Sequence, residues 1–333
     1  MSLSIDSLTA VTRDKFIPVL VDNIFKSNIL TFKMLQNSEP TASGNKVLQP
    51  IEYAKSGAKG FYNGYDVLDT SPQELFTDAS YDWVQCHASI TYSGREEALN
   101  SGGERVVDLI SAKVKNAEKS LKDLFGSQLY SDNTGSAVTT PSDAEASGFL
   151  GLKHIINVDR SLGGIDSTTY TWWDANVKDA GSSVTYANMV DSSNAAYIQK
   201  IIREMYGQCT IDNDAPDIIV TTQVIFDAYE ESLQAQKRFG ASSQSLADAG
   251  FQNLLYRGTP IVVDDHCPDG EMFFLNSKYL KFRHHASRNF AFQGFNKPVN
   301  QDASVAHIYW LGALTCSNPR MLGRVFDLAS SYS

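Results

Sequence analysis

The chain has 333 residues, 42% of them hydrophobic and 20% charged, an ordinary globular balance. Its formal net charge is −10, with a pI near 5.1. That sign disfavours a protein that grips nucleic acid tightly through its phosphates.

At ~150 residues per domain the length predicts about two lobes. Residues 1–16 are polar and charged and lack the apolar run of a signal peptide. Runs such as Ile218–Val220 and Ile261–Val263 are far shorter than the ~20 residues a membrane span needs. These features predict a soluble protein made in a cytoplasm. Cys86, Cys209, Cys267 and Cys316 are scattered, with no Cys-x-x-Cys pair, so reduced and mostly buried thiols are expected.

Residues 1–44 read as an extended arm with one short helix. Phe16, Leu20, Ile24 and Phe25 recur at helical spacing, with Thr12 or Asp14 as cap, before Pro40 and Gly44 break the pattern. Residues 45–93 read as a long β-hairpin, outward over Lys46–Ala54 and back over roughly Ser80–Tyr92. Alternation on the return strand places Val84, Cys86, Ala88, Ile90 and Tyr92 on one face, and Tyr81, Trp83, Gln85, His87 and Ser89 on the other. The middle, Lys55–Asp69, sets Gly57, Gly60 and Gly64 beside Phe61, Tyr62 and Tyr65. An isolated hairpin is marginal in water, so something outside it should cover these aromatics.

Residues 94–147 contain the strongest element, a helix over about 101–131. Val107, Ile110, Val114, Ala117, Leu121 and Leu124 form one stripe, and Gly126 is read as its stop. In residues 148–300, Ile198, Ile201, Ile202 and Met205 mark a helix, and Asp217–Val220 a buried strand. Thr222 is an expected N-cap for a helix bearing Ile225, Ala228, Tyr229 and Leu233. Leu254–Tyr256 and Pro260–Val263 read as strands joined by a turn, and Met272–Leu275 and Tyr279–Phe282 as another pair. Residues 301–333 close the chain with strands Val305–Leu314 and Met321–Phe326. Strands and helices come in clusters without regular alternation, which predicts an α+β fold.

Tests for chemistry mostly fail. There is no P-loop, no Gly-x-Gly-x-x-Gly after a strand, no Gly-x-Ser-x-Gly and no His-Glu-x-x-His. Asp264, Asp265, His266, Cys267 and Asp269, with His284 and His285 further on, are the best metal-ligand candidates. A metal hydrolase centred on Asp265, His266 and His284 is one alternative, but the spacing fits no common zinc pattern. Glu96 and Glu97 are candidate paired carboxylates, Tyr170, Trp172 and Trp173 a candidate stacking platform, and Arg320 and Arg324 a candidate phosphate site. In each case a turn, a core aromatic or an ion-paired arginine explains the residues more simply. The Ser/Thr-rich aromatic stretch 161–186 fits an adhesin, against which the lack of a signal peptide and the long charged helix weigh. No cofactor and no catalytic residue are assigned.

Several runs together resemble a known family. They are Thr12-Arg13-Asp14 with Phe16-Ile17-Pro18, Asp22-Asn23-Ile24-Phe25, Pro50-Ile51-Glu52-Tyr53, and the passage from Gly64-Tyr65-Asp66 through Leu68–Glu74. Ala112–Glu118 follows, then Asn318-Pro319-Arg320 and Gly323-Arg324. In order, they resemble the tailed-bacteriophage major capsid proteins of the Hong Kong 97 type, most strongly over 12–125. The resemblance implies a structural subunit and no enzyme. Hexamers and pentamers of it would build an icosahedral head around double-stranded DNA, assembled in a bacterial cytoplasm. An encapsulin-type compartment shares that fold and is the other structural alternative. Residues 1–44 would be the N-terminal arm, 45–93 the extended loop, 94–147 the peripheral domain with its spine helix, and 148–300 mainly the axial domain. Residues 301–333 would return to the peripheral domain. The implied inter-subunit contacts are Phe61, Tyr62, Tyr65, Asp66, Phe16 and Phe25. A separate scaffolding protein, a portal and a decoration protein are the implied partners, without membrane contact or tight, specific DNA binding. Lys55 and Lys59 lie in the loop that some relatives crosslink, but no partner asparagine or assisting carboxylate matches, so no crosslink is assigned.

Overall fold

The computed structural model describes residues 28–41, 44–99, 103–134, 148–181, 184–233 and 254–332, with the backbone alone over 97–99 and 103–112. The arm helix expected at Phe16–Phe25, with Thr12 and Asp14, lies outside them. The described chain opens with helix α1 (Ile29–Gln36), capped by Asn28, whose Oδ1 accepts from the Thr31 N–H at 3.2 Å. Then come β1 (Glu39–Thr41), β2 (Lys46–Glu52), β3 (Phe76–Asp82), β4 (Val84–Ser93), α2 (Gly94–Leu99) and α3 (Gly103–Leu129). The short α4 (Leu152–Ile155) precedes β5 (Ser161–Leu162), β6 (Ile165–Asp166), β7 (Asn176–Asp179), α5 (Tyr186–Val190), α6 (Ile198–Gln208), β8 (Ile218–Thr221) and α7 (Gln223–Leu233). The remaining strands are β9 (Leu254–Tyr256), β10 (Thr259–Val263), β11 (Met272–Leu275), β12 (Leu280–His285), β13 (Ala291–Asn296), β14 (Ala303–Cys316) and β15 (Gly323–Phe326).

The return limb of the expected hairpin is two strands. β3 pairs with β2, Val47 opposite Tyr81. At Trp83 the chain leaves that pair, and β4 joins a five-stranded sheet instead. The break shifts the alternation, so Tyr81 and Val84 are both buried. Tyr81, expected on the opposite face, points inward and its hydroxyl donates to the Cys316 carbonyl at 2.6 Å. Within β4 itself the expected alternation holds: Val84, Ile90 and Tyr92 are buried while Gln85, His87 and Ser89 are exposed.

β14 organises the five-stranded sheet. It takes β4 along one edge, and β13 and then β12 along the other, with β1 beyond β12. Helix α3 lies against this sheet with Val114, Ala117, Leu121, Phe125 and Leu129 buried. Leu124, expected in the stripe, is 38% exposed and Phe125 takes its place. Four-residue steps from Leu121 to Phe125 to Leu129 keep to one helix face as well as the expected three-residue step does. Gly126 does not stop the helix, which runs on to Leu129. A Cβ there would lie 2.6 Å from His266 Nδ1 and 2.7 Å from Asn28 Nδ2, so this glycine serves a close approach. Val107 and Ile110 fall in the backbone-only stretch.

The second sheet has six strands in the order β7-β15-β11-β8-β10-β9. It is covered on both faces. Ile219, Ile261, Met272 and Phe274 pack with Ile198, Ile202 and Met205 of α6 and Ile225 of α7. Ile218, Val220, Phe273 and Leu275 face the core shared with α3. Double burial explains the unbroken apolar run at Ile218–Val220. β9 and β10 form the expected hairpin, turning at Arg257 and Gly258, both at positive φ. The expected pairing of Met272–Leu275 with Tyr279–Phe282 does not occur: β11 sits between β8 and β15, and β12 goes to the other sheet. β14 and β15 likewise divide between the two sheets. Thr222 precedes α7 as expected, but its buried hydroxyl makes no hydrogen bond.

No helix among the described residues is long and apolar enough to cross a membrane. All four cysteines are free thiols, and burial pushes Cys86, Cys209 and Cys316 up to about 12, which keeps them protonated and unreactive. Gly151, at the start of α4, is held against the end of α3. Its N–H donates to the Asn133 carbonyl at 2.9 Å, and a Cβ would lie 2.0 Å from the Ser131 carbonyl oxygen. Backbone cannot swing aside as a side chain can. Gly151→Ala is therefore expected to destabilise the protein by ~1–3 kcal/mol, read as an earlier urea midpoint; an unchanged midpoint would show that the junction is loose.

Candidate assembly surface

The β2–β3 pair has a docked face and a free face. Val47, Ile51, Ala79 and Tyr81 are buried, while Leu48 and Phe76 are 60% and 69% exposed. The β5–β6 hairpin meets the docked face. Ser80 N–H donates to the Gly163 carbonyl at 2.8 Å, and Gly163, at φ +62°, has no room for a Cβ beside Ala79. At the end of β2, Tyr53 stacks on Trp172 with ring centroids 5.4 Å apart and planes at 17°. Trp173 is buried beneath, its indole N–H donating to the Leu162 carbonyl at 3.0 Å.

Beyond this root the loop 54–75 projects without regular structure. Its internal bonds are local. The Gly57 N–H donates to Gln73 Oε1 at 2.6 Å across the two limbs. The Asn63 N–H donates to Asp66 Oδ2, and the Asp66 N–H to the Asn63 carbonyl, both at 2.8 Å, closing the tip turn. Asp69 accepts from the hydroxyl and then the main-chain N–H of Ser71, which hold its carboxyl below the usual range. None of these bonds covers an aromatic ring: Phe61 and Tyr65 are fully exposed and Tyr62 is 68% exposed.

Val67 and Leu68 extend the same apolar strip. Exposed apolar side chains grouped along one loop point to an interaction site. Of the six residues named from sequence, the loop gathers Phe61, Tyr62, Tyr65 and Asp66, and Phe16 and Phe25 lie outside the described residues. Leu48, Val67, Leu68 and Phe76 are further exposed apolar residues that the sequence pattern did not single out. The alternation of β2 was the available signal for Leu48, since it lies on the face opposite Val47.

No protein-family model and no curated protein matches this sequence. Solved structures do. A chain of the cyanophage A-1(L) capsid asymmetric unit superposes with a TM-score of 0.65 at 15% identity, covering 92% of this chain and 94% of that one. The capsid of a native GTA particle gives 0.58 at 12% identity, covering 89% of each chain. The chain has the Hong Kong 97-type capsid fold. The holo-SrpI encapsulin complex from Synechococcus elongatus PCC 7942 also resembles it, with a TM-score of 0.52 at 10% identity over 88% of this chain and 85% of that one.

On this Hong Kong 97-type framework several of the other candidate residues take structural places. Glu96 and Ser93 form a capping box for α2: Glu96 Oε2 accepts from the Ser93 N–H at 3.0 Å, and Ser93 Oγ from the Glu96 N–H at 3.2 Å. Lys113 Nζ adds a bond to Glu96 at 2.8 Å. Arg324 makes a bidentate pair with the buried Glu271, both bonds at 2.9 Å, and Lys153 reaches the same carboxylate at 2.9 Å. That arginine is committed to an ion pair and is not a phosphate site. Asp265, His266 and His284 are not brought together. His266 Nε2 lies 3.1 Å from Asp123 Oδ1 on α3, while His284 sits on β12 opposite Pro40. Among the described residues no three His, Cys, Asp or Glu side chains stand close enough to share a metal ion.

Proposed function

We propose that this chain is a shell-forming subunit, the major capsid protein of a tailed bacteriophage. It assembles as hexamers and pentamers into an icosahedral head around double-stranded DNA, and it acts structurally, without catalysis. The observation that carries the reading is the near end-to-end superposition on a phage capsid chain, 92% of this chain on 94% of that one. The projecting loop supports it, because exposed aromatics on an arm add contact area across neighbours without enlarging the core. In this reading Phe61, Tyr62, Tyr65 and Asp66 contact an adjacent subunit, as do Phe16 and Phe25 of the arm. The sheet carrying α3 serves as the peripheral domain and the six-stranded sheet as the axial one. A net charge of −10 gives a wall that does not adhere to packaged DNA.

The encapsulin likeness supports a second reading, a compartment shell, with a lower superposition score than the cyanophage capsid chain. The test is expression with the neighbouring scaffolding and portal genes, followed by sedimentation and negative-stain microscopy. Closed particles carrying a portal at one vertex are the expected result. Closed particles that take up no portal favour the compartment, and a protein that stays monomeric with its scaffold supplied overturns both.

A further inference from the structure

The free edge of β4 carries an inference that rests on the fold alone. Among the described residues the only strand paired with β4 is β14. Just past β4, the Gly94 N–H donates across to the Asp302 carbonyl at 2.9 Å, so the even-numbered residues direct their main-chain groups toward β14. The Thr91 carbonyl points the other way and accepts from Lys113 Nζ at 2.8 Å. By the two-residue alternation of a strand, Gln85, His87 and Ser89 also present their N–H and C=O groups along the outer edge. A ten-residue strand with such an edge is a template for another chain segment unless something pairs with it.

The edge forms one wall of a groove of about 630 Å³. Helix α3 forms the other wall, with Ala117, Ser120 and Leu124 facing in. Leu124 is the apolar side chain that the subunit's own core leaves half-exposed. The groove therefore offers main-chain pairing on one side and an apolar seat on the other, the two requirements for adding an extended peptide as a strand.

We propose that an extended run within residues 1–27 occupies this groove and pairs with β4 as a sixth strand of its sheet. The described chain begins at Asn28, which packs beside Gly126 of α3, on a different flank of the helix from the one that presents Ala117, Ser120 and Leu124 to the groove, and the 27 residues before it are ample in length to round the helix. From Lys113 to Ser127 the groove is ~20 Å long, a span that ~6–7 extended residues cover. Even with a helix at Phe16–Phe25, residues 2–12 are long enough. They alternate Leu3 and Ile5 with Ser2, Ser4 and Asp6, then carry the strand-favouring Thr9, Val11 and Thr12.

Residue-resolved hydrogen–deuterium exchange on the unassembled full-length subunit tests this. The amides of Gln85, His87 and Ser89 should exchange at least about tenfold more slowly than in a variant lacking residues 1–27. The amides of Cys86, Ala88 and Ile90, bonded to β14, should be the same in both and report an intact sheet. Ser89→Pro removes one outward donor without touching the β14 ladder, so protection at Gln85 and His87 should fall there too; this variant decides the matter if the deletion does not fold. Fast exchange of the outer amides in the full-length subunit overturns the proposal, as does protection that survives both changes. Protection that arises only on assembly also overturns it, since it assigns the edge to another copy of the chain.

Discussion

Replacing Phe61 and Tyr65 together with alanine is expected to give a folded subunit that no longer closes into particles. Both side chains are fully exposed in the subunit and touch none of its core, so its own stability should be unchanged. Their effect falls on the contact proposed for them. Aromatic anchors at interface centres cost about 2 kcal/mol or more each when truncated. Two of them weaken each contact by ~4 kcal/mol, roughly a thousandfold in association. A closed shell repeats that contact in every copy, so the loss is multiplied through the assembly. Circular dichroism should show a native spectrum, while sedimentation and negative-stain microscopy should show subunits or small oligomers. Normal particles from the double variant would remove the loop from the assembly surface.

The second large effect lies in the core. Phe125→Ala should cost ~3–5 kcal/mol. Its ring meets Trp310 edge-on at 5.0 Å, Phe149 at 5.3 Å, Phe290 at 5.5 Å and Phe282 at 6.3 Å. These rings come from the five-stranded sheet and the loops around it, and rigid neighbours cannot collapse into the space left behind. Leu124→Ala, one position away on the half-exposed face, should cost well under half as much. Urea unfolding of the two variants side by side checks both statements. Equal losses would mean that the sequence-derived stripe, with Leu124 inside it, describes the helix better than the observed packing does.

The pairing of these two variants shows where sequence reading succeeds and where it stops. The long helix and the aromatic loop were legible because each is set by local pattern: a 3.6-residue period in one, and glycines beside rings with no apolar partners nearby in the other. The stop assigned to Gly126 failed because that glycine answers to His266, distant in sequence, and not to the helix end. The single return strand failed at Trp83 because both halves alternate well locally, while the choice of partner, β2 or β14, is tertiary. The same holds for Met272–Leu275 and Tyr279–Phe282, adjacent in sequence yet sent to different sheets. Leu48 and Phe76 escaped notice because exposure of an apolar strand residue depends on which face finds a neighbour.

The pairing of β4 with β14 also sets the order in which the subunit can mature. Gly312 meets Val84 and Ala303 meets Ser93, partners separated by roughly 220 residues, so the sheet has a high contact order. At ~5–20 residues per second of synthesis, β4 waits ~10–45 s on the ribosome before its partner exists. Throughout that interval Val84, Ile90 and Tyr92 have no sheet to belong to, and α3 has nothing to lie on. The five-stranded sheet therefore cannot close until the chain has been translated almost to its end. A chain cut short before β14 should leave that face of β4 and α3 uncovered and be degraded by proteases.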